Sequence, residues 1–196
     1  REIRYDYFNL LEKENGYDKI LTAHTKDDNL ETVLMNFTRG TGLTGLTGIP
    51  RINGNIVRPV LCFEREKIES FLNEHQFAWR TDSSNRSLKY KRNRFRNEII
   101  PLLKKENPGL LTAFDRFLEN IYPIKYYFDK EIEIIKHQYV TYRNDSVNIA
   151  WKSKDEIRVF LFPILQEFGF NHRQVQSILS VLSQPGKTFE SRKYKL

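Results

Sequence analysis

Helical and extended spacings of apolar residues alternate along the first part of the chain. Residues 2–15 carry apolar side chains at helical spacing, and Gly16 follows as a stop signal. Residues 17–24 (YDKILTAH) hold a compact apolar run that is too short for a helix and predicts a strand. A second helical pattern begins at Lys26, so the order helix, strand, helix predicts α/β architecture with a parallel sheet.

The second helix is predicted to run from Lys26 to Thr38 with one buried stripe. The stripe consists of Leu30, Val33, Leu34 and Phe37. Thr25 precedes the first turn and is a suitable N-cap residue. Asp27 and Asp28 lie within that turn, where the positive end of the helix dipole favours carboxylates.

Shorter elements are predicted after this helix. Residues 40–50 hold four of the nine glycines and repeat the tripeptide GLT, which predicts a loop or tight turn. Residues 53–61 (NGNIVRPVL) indicate an Asn-Gly turn and a short extended segment that ends near Pro59. Residues 64–77 (EREKIESFLNEHQF) predict an amphipathic helix. Its apolar positions are Ile68, Phe71 and Leu72.

The remainder of the chain has a mainly helical pattern, and strand is indicated only near residues 147–149 and at the last residues. The predicted helices lie within residues 110–139, 154–168 and 171–184. The first of them is either continuous or broken at Pro123. We therefore predict an α/β domain over residues 1–105, followed by a mainly helical domain over residues 106–196.

Aromatic residues cluster in the first of these later helices. The cluster consists of Tyr122, Tyr126, Tyr127 and Phe128. We expect it to pack in a core, although exposed tyrosines there could instead stack on RNA bases.

The composition narrows the class of protein. In 196 residues no apolar run approaches the ~20 needed to cross a bilayer, and no signal peptide is evident, which predicts a cytoplasmic protein with no membrane partner. The single cysteine, Cys62, argues against a cysteine-ligated zinc or iron–sulfur site. Because the chain opens at Arg1 rather than at methionine, we expect an N-terminal portion to be missing.

The positive charge is concentrated in one segment. The net charge is +7, and residues 80–97 alone hold seven basic residues against one acidic residue, Asp82. If residues 90–100 are helical, Arg92 and Arg96 share one face at i, i+4, with Asn93 beside them. On the other face of this helix, the side chains predicted to turn toward the core are Phe95, Ile99 and Leu102. Arginines on one stiff face suit phosphate oxygens, so this segment favours nucleic-acid or nucleotide binding over a solvated basic helix.

A candidate site lies where the predicted strand meets the second helix. His24 ends the strand, and Asp28 and Glu31 follow at i, i+3 on the helix. Ligands of open α/β sheets bind beyond the carboxyl ends of the strands. Carboxylates there could hold Mg²⁺, orient an amine nucleophile or take its proton. Spacing leaves open the alternative that the acids only complement the helix dipole or face solvent, and that His24 caps the helix.

Residues 39–48 (RGTGLTGLTG) could present backbone N–H groups and one guanidinium to an anion. The segment lacks the Lys-Ser/Thr ending of a P-loop. Taken alone, it favours a helix C-cap and turn over a phosphate cradle.

Three motifs in this order carry a resemblance to a known family. They are HTKDDNLET (24–32), RGTGLTGL (39–46), and DSSN (82–85) followed by RNRFR (92–96). Over residues 1 to about 110 the chain closely resembles the tRNA(Ile)-lysidine synthetase family of PP-loop ATP pyrophosphatases. The resemblance implies an adenine nucleotide alpha hydrolase-like α/β domain, incomplete at its N-terminus because the SGGxDS loop is absent.

The resemblance also implies a reaction and its participants. ATP adenylates the C2 oxygen of the wobble cytidine in tRNA(Ile) with a CAU anticodon, and free L-lysine then displaces AMP. Catalytic roles fall to His24, Asp28 and Glu31. ATP or tRNA phosphate binding falls to Arg39, Gly40, Thr41, Gly42, Arg92 and Arg96, with supporting roles for Asp27, Thr32, Asp82, Asn85 and Asn93. Mg²⁺ is implied without assigned ligands.

The chain departs mildly from the family pattern, and other hypotheses stay open. Thr25 stands where members often have a second histidine, and Asn29 where they often have glutamine. Without the SGGxDS loop, the chain as given is expected to be inactive. The alternatives are a PP-loop tRNA thiolase and a non-catalytic RNA-binding module. Oligomeric state is left open, with a homodimer as one option.

Overall fold

The computed structural model describes residues 2–79, 91–143, 146–150, 154–182, 184, 186–192 and 194–195. Within them the helices are α1 (Glu2–Asn15), α2 (Lys26–Phe37), α3 (Leu43–Leu46), α4 (Arg65–Glu74), α5 (Lys91–Arg94), a π-helical turn (Phe95–Ile99), α6 (Ile100–Glu106), α7 (Leu110–Tyr139), α8 (Lys154–Glu167) and α9 (His172–Val181). The strands are β1 (Ile20–Leu21), β2 (Ile52–Asn53), β3 (Ile56–Val57), β4 (Val140–Arg143) and β5 (Ser146–Ile149).

The first sheet combines one parallel and one antiparallel pairing. β1 runs parallel to β3, with Ile20 opposite Ile56, and β2 runs antiparallel to β3. The antiparallel pairing comes from a hairpin whose turn contains Gly54 at a φ of 60°, a conformation that glycine adopts without steric cost. The predicted α/β architecture and Asn-Gly turn are confirmed, while the sheet is mixed rather than wholly parallel.

The chain divides into two compact units, residues 1–125 and 126–196. The division falls later than the domain boundary near residue 105 suggested by the sequence pattern, and that boundary stays a prediction. The core of the first unit is built from α2, α6 and α7. Its buried side chains are Leu30, Val33, Ile100, Leu111, Phe114 and Leu118. This core holds α2, which carries the candidate acids, in a fixed position.

The end of α2 differs from the predicted buried stripe. Leu30 and Val33 are buried and Leu34 is partly buried, as expected, but Phe37 is 68% exposed. Helical periodicity gives the direction of a side chain and not the extent of the surface that covers it. The helix ends at Phe37, beyond the surface on which Leu34 packs, so the prediction for Phe37 is wrong.

A short helix replaces part of the predicted loop over residues 40–50. α3 packs against the last part of α2, and Leu46 contacts the core of the first unit. Each GLT repeat supplies one leucine to this single turn, and both Leu43 and Leu46 are half-buried. The prediction of loop throughout is therefore wrong for these four residues.

The π-helical turn corrects the predicted core face of the basic helix. Phe95 is buried as expected, but Leu102 is 60% exposed. A π turn contains one residue more than an α turn, here with the N–H of Ile100 donating to the carbonyl of Phe95. Each added residue rotates the following positions by about 100°. Ile100 consequently occupies a buried position, while Ile99 and Leu103 are both half-buried.

The long helix α7 is continuous through Pro123, which settles the alternative between one helix and a broken one. The aromatic cluster within it is mostly exposed, and its assignment to a core is wrong for the tyrosines. Exposed fractions are 43% for Tyr122, 55% for Tyr126 and 69% for Tyr127. Phe128 is half-buried and stacks on Phe160. Along α7 the tyrosines lie between Leu118 and Ile132, which are both buried.

The second unit is built from the end of α7, a two-stranded hairpin and helices α8 and α9. β4 and β5 pair antiparallel, and only β5 was predicted as strand. α9 begins with a capping box, in which Asn171 and Gln174 exchange side-chain to backbone bonds. The core of the second unit consists mainly of Ile157, Leu161, Leu165, Phe170, Val175 and Ile178. None of the described helices is long and apolar enough to cross a membrane.

Replacing Leu165 by alanine is expected to destabilise the second unit by about 2–5 kcal/mol, because the side chain is 1% exposed and its loss leaves a cavity. Val159→Ala on the same helix is the matched control, since Val159 is 57% exposed and should change stability by less than about 0.5 kcal/mol. Denaturant unfolding measures both. Equal effects of the two substitutions would contradict the assigned core.

Candidate functional site

The first turn of α2 is fixed by a capping box. The backbone N–H and the hydroxyl of Thr25 both donate to Asp28 Oδ2, at 2.8 and 2.9 Å, and Thr25 Oγ1 accepts from the Asp28 N–H. Thr25 therefore caps the helix as predicted. The box uses one carboxylate oxygen of Asp28 and directs the other, Oδ1, away from the helix end.

Three arginines converge on that second oxygen of Asp28. Nη2 of Arg92 and Nη2 of Arg96 each lie 2.9 Å from Asp28 Oδ1. The third is Arg65 at the start of α4, whose Nη2 lies 3.3 Å away. Segments far apart in sequence thus meet at a single carboxylate oxygen.

Glu31 lies one turn further along α2 and is almost fully enclosed, with 1% of its surface exposed. Arg96 donates to both carboxylate oxygens, through Nε at 2.5 Å and Nη2 at 2.9 Å. Arg92 Nε donates to Glu31 Oε2 at 2.7 Å. Bidentate pairing of this kind is the strongest common ion-pair geometry, and it compensates the burial of the Glu31 carboxylate.

Arg92 and Arg96 share one face, as the sequence predicted, and that face contacts the acids of α2, a contact that the sequence did not predict. Arg92 lies in α5 and Arg96 in the π-helical turn, four residues later and on one face. Phe95 between them is buried and anchors the opposite face. Asn93 is half-buried beside them and takes part in further interactions. Asp82 and Asn85 lie outside the described residues, so their predicted roles stay predictions.

The surrounding charges shift the pKa values of two members of this site. Burial acts to raise the pKa of Asp28, but the Thr25 hydrogen bonds and the charges of Arg65 and Arg92 outweigh it, so the pKa lies below its ordinary value. Burial acts to lower the pKa of Arg96, and its bonds and proximity to Glu31 raise it overall. Both groups are therefore held in their charged forms.

The side chain of Asp27, in α2, binds α4 and α6 and so joins three helices. Its Oδ2 accepts the backbone N–H of Arg65 at 2.8 Å, which caps the start of α4. Its Oδ1 lies 3.4 Å from the ammonium of Lys104 in α6. The supporting role that the resemblance implied for Asp27 gains a physical meaning here, since this carboxylate positions the backbone of Arg65.

Arg65 and Lys104 are functional candidates that sequence reasoning missed. Arg65 stands at the start of a helix that was predicted, in the string EREKIESF, but nothing in the local pattern distinguishes it from a solvated residue. The only available signal was its place directly after a break between extended and helical segments. Lys104 lies in the helical pattern after Pro101 and gave no signal of its own.

His24 and Thr32 lie at the edges of the cluster. The ring of His24 is half-buried, and its Nδ1 lies 3.0 Å from the hydroxyl of Thr22. His24 also takes part in an interaction other than this one with Thr22. Thr32 donates its hydroxyl to the backbone carbonyl of Asp28 at 2.8 Å, within α2 itself. The roles implied for both residues stay predictions.

The glycine-rich segment serves first as a C-cap and packing element. The backbone N–H groups of Arg39, Gly40 and Thr41 donate to carbonyls in the last turn of α2. These bonds use the donors that an anion cradle needs, whereas Gly42 is exposed at the start of α3. Phosphate binding by Arg39 to Gly42 stays a prediction, and the described bonds support the alternative reading as a turn.

Gly48 explains why this segment needs glycine at its far end. Its φ is 70°, and a Cβ there would lie 2.1 Å from Asn29 Oδ1. That oxygen accepts the N–H of Ile49 at 2.6 Å. The close approach fastens the segment to the buried side of α2.

The acids of the site are paired with protein donors. Among the residues that the structure describes, no three His, Cys, Asp or Glu side chains form a group that could hold a metal. All four carboxylate oxygens of Asp28 and Glu31 accept bonds from arginine or threonine. A Mg²⁺ ion would have to compete with these donors for the carboxylate oxygens, so the ion implied by the resemblance stays a prediction without assigned ligands.

Two protein-family models match separate segments of the chain. Residues 1–103 match the model described as PP-loop domain, and residues 146–196 match the model described as TilS substrate binding domain. The first match covers the three-stranded sheet (β1, β2 and β3). It also covers the acids and arginines that meet at the site, which are Asp28, Glu31, Arg65, Arg92 and Arg96. The chain belongs to the PP-loop family.

Comparison with individual proteins narrows this class. The chain is 37% identical over 198 residues to the tRNA(Ile)-lysidine synthase of Porphyromonas gingivalis and 36% identical over 197 residues to that of Bacteroides thetaiotaomicron. Both alignments cover 100% of the chain, and 43% and 46% of the relatives. A synthase of the same name from Clostridium tetani is 38% identical over 96% of the chain. The chain thus spans less than half the length of these curated relatives.

The unfolding free energy is expected to fall as the pH is lowered through the acidic range below about 4, the ordinary pKa of an aspartate. Because the folded-state pKa of Asp28 is depressed, its contribution is present above the unfolded pKa and is lost as pH falls through the folded pKa. Asp28→Asn should therefore flatten this acid limb. Unfolding curves between pH 2 and pH 7, at pH intervals of about 0.5, measure the effect across that window.

Asp18→Asn is the matched control, because Asp18 is an exposed carboxylate outside the cluster. An acid limb equally steep in wild type and Asp28→Asn, with Asp18→Asn also unchanged, would show that the Thr25 and arginine contacts of Asp28 do not stabilise its charged form.

Proposed function

We propose that this chain is part of a tRNA(Ile)-lysidine synthase, which uses ATP to attach free L-lysine to the wobble cytidine of tRNA(Ile) with a CAU anticodon. The observation that carries the proposal is the cluster of Asp28 and Glu31 with Arg92 and Arg96 in a PP-loop domain. The names of the relatives and the match of residues 146–196 to a TilS substrate binding domain support the choice of substrate.

The proposed reaction has two steps. The C2 carbonyl oxygen of cytidine attacks the α-phosphorus of ATP, and pyrophosphate leaves. The ε-amine of lysine then attacks C2, the bond from C2 to the oxygen of AMP breaks, AMP leaves and the amine loses a proton. The first step develops negative charge on phosphate oxygens, and the second brings a cationic amine beside the base, so the site must supply both cations and carboxylates.

The cluster contains both kinds of group in mutual contact. In the proposed site, Asp28 and Glu31 bind and orient the lysine amine and accept its proton, while Arg92 and Arg96 bind phosphate oxygens. An arriving ammonium and phosphate would replace the internal pairs without leaving any buried charge uncompensated. This exchange of partners is the reason we favour a binding site over a purely structural salt bridge.

Several further participants belong to the proposal. ATP use follows from the PP-loop family, while lysine rests on the resemblance and a cytoplasmic location on the composition. The oligomeric state stays open, with a homodimer as one option. Mg²⁺ also stays a prediction, because the carboxylate oxygens of Asp28 and Glu31 are paired with arginine and threonine and no ligand set is assigned, and we give it no step. The thiolase and RNA-module alternatives are less favoured, because the matched relatives are named as lysidine synthases.

In a full-length protein that contains this chain, Asp28→Asn is expected to lower ATP- and lysine-dependent modification of tRNA(Ile) by about 100-fold or more, because a neutral amide neither binds the ammonium nor accepts its proton. Incorporation of labelled lysine into tRNA measures activity, and filter binding measures tRNA affinity, which should survive. Asp18→Asn again controls for loss of one carboxylate at an exposed position.

Two outcomes would contradict the proposal. Unchanged lysine incorporation in Asp28→Asn would remove the carboxylate from catalysis. Absence of ATP- and lysine-dependent modification in the wild-type full-length protein, with tRNA binding intact, would favour the non-catalytic RNA-binding module.

A further inference from the structure

Arg65 is the least firmly held of the three arginines around Asp28. A carboxylate oxygen has two lone pairs, yet Asp28 Oδ1 lies within hydrogen-bond reach of three guanidinium groups. Arg92 and Arg96 occupy the two short positions at 2.9 Å. Arg65, at 3.3 Å, lies beyond the usual range for an N–H to O bond and is the surplus donor.

The other contacts of the three arginines also indicate that Arg65 is the least firmly held of them. Arg92 and Arg96 both bind Glu31 in addition to Asp28. Among the described residues, the guanidinium of Arg65 forms an ion pair with Asp28 alone. Its side chain is 37% exposed, so part of the group faces solvent while its backbone N–H is fixed by Asp27 at 2.8 Å. The base of the side chain is positioned and its charged end is available.

The charges of the cluster leave room for an anion. In the described part of the chain, three carboxylates (Asp27, Asp28 and Glu31) face four cations (Arg65, Arg92, Arg96 and Lys104). The surplus of one positive charge sits in a partly buried setting, where it is screened less than at an open surface. An anionic ligand would neutralise it.

We propose that Arg65 is a phosphate-binding residue of this site, which exchanges its weak contact with Asp28 for a phosphate oxygen of the substrate. This inference rests on the proposed function for the identity of the ligands. The phosphate belongs either to ATP or to the tRNA backbone, since both offer the same oxygen chemistry to a guanidinium fork.

The test uses the full-length protein with Arg65→Ala and Arg65→Gln. Both substitutions keep the backbone N–H that Asp27 binds, so the start of α4 stays capped. Glutamine also retains a side-chain N–H for Asp28 while it removes the positive charge, and it therefore remains informative if the alanine variant folds poorly. Lys67→Ala is the matched control, because it removes one positive charge from the same helix at a side chain that is 70% exposed.

Two binding arms distinguish the sources of phosphate. One measures the affinity for a non-hydrolysable ATP analogue, and the other measures tRNA affinity over a range of salt concentrations without nucleotide. We expect both Arg65 variants to weaken one arm by about tenfold, as for loss of a hydrogen bond between charged groups. If that arm is tRNA, the slope of log affinity against log salt should also fall by about one. Lys67→Ala should stay within about twofold of wild type in both arms.

Unchanged affinity in both arms for a folded Arg65→Gln protein would overturn the inference, as would equal losses in Arg65→Gln and Lys67→Ala. The fate of the proposed function is read separately from lysine incorporation by the wild-type protein. Weakened phosphate binding in the Arg65 variants of a protein that incorporates no lysine would leave Arg65 as a phosphate ligand and reject the synthase reaction.

Discussion

The enclosure of Glu31 is the constraint on which the rest of the site depends. Burying a carboxylate that is 1% exposed is costly unless it is paired and hydrogen-bonded, and Arg92 and Arg96 supply the partners at 2.7 and 2.5 Å. This requirement fastens the basic segment to α2, although the two are more than sixty residues apart in the chain. The same two arginines also reach Asp28 Oδ1, each at 2.9 Å, so the contact with Glu31 brings both acids and both arginines together.

The π-helical turn reconciles this contact with the core. Arg92 and Arg96 must both point at α2, while Phe95 between them and Ile100 after them are buried in the opposite direction. In a regular α-helix Phe95 would share its inward face with Ile99 and Leu102. The extra residue in the turn brings Ile100 into the core and leaves Leu102 exposed, with Ile99 and Leu103 both half-buried. Such turns are frequent at functional sites.

Local sequence patterns predicted a large share of this arrangement. Contacts between residues far apart in the sequence could not be predicted from such patterns. Thr25 as N-cap, the first-turn acids and the i, i+4 pair Arg92 and Arg96 are all encoded within a few residues, so they could be read directly. The contact of Arg65 with Asp28 joins α2 to α4 and has no local signature. Exposure of Phe37 and of the α7 tyrosines depends on which surfaces end nearby, which periodicity does not contain.

A cluster of buried opposite charges is a costly way to join helices, and this cost bears on its purpose. Well-packed apolar residues of similar size usually stabilise a fold as well as or better than a buried ion pair does. Four cations and three carboxylates within the described residues therefore need an explanation beyond stability. The proposed site, which would receive a cationic amine and an anionic phosphate together, provides one, because the resting pairs hold the carboxylates and guanidinium groups in position before the ligands arrive. Preorganisation of this kind means that little solvent and few side chains have to rearrange when charge develops in the reaction.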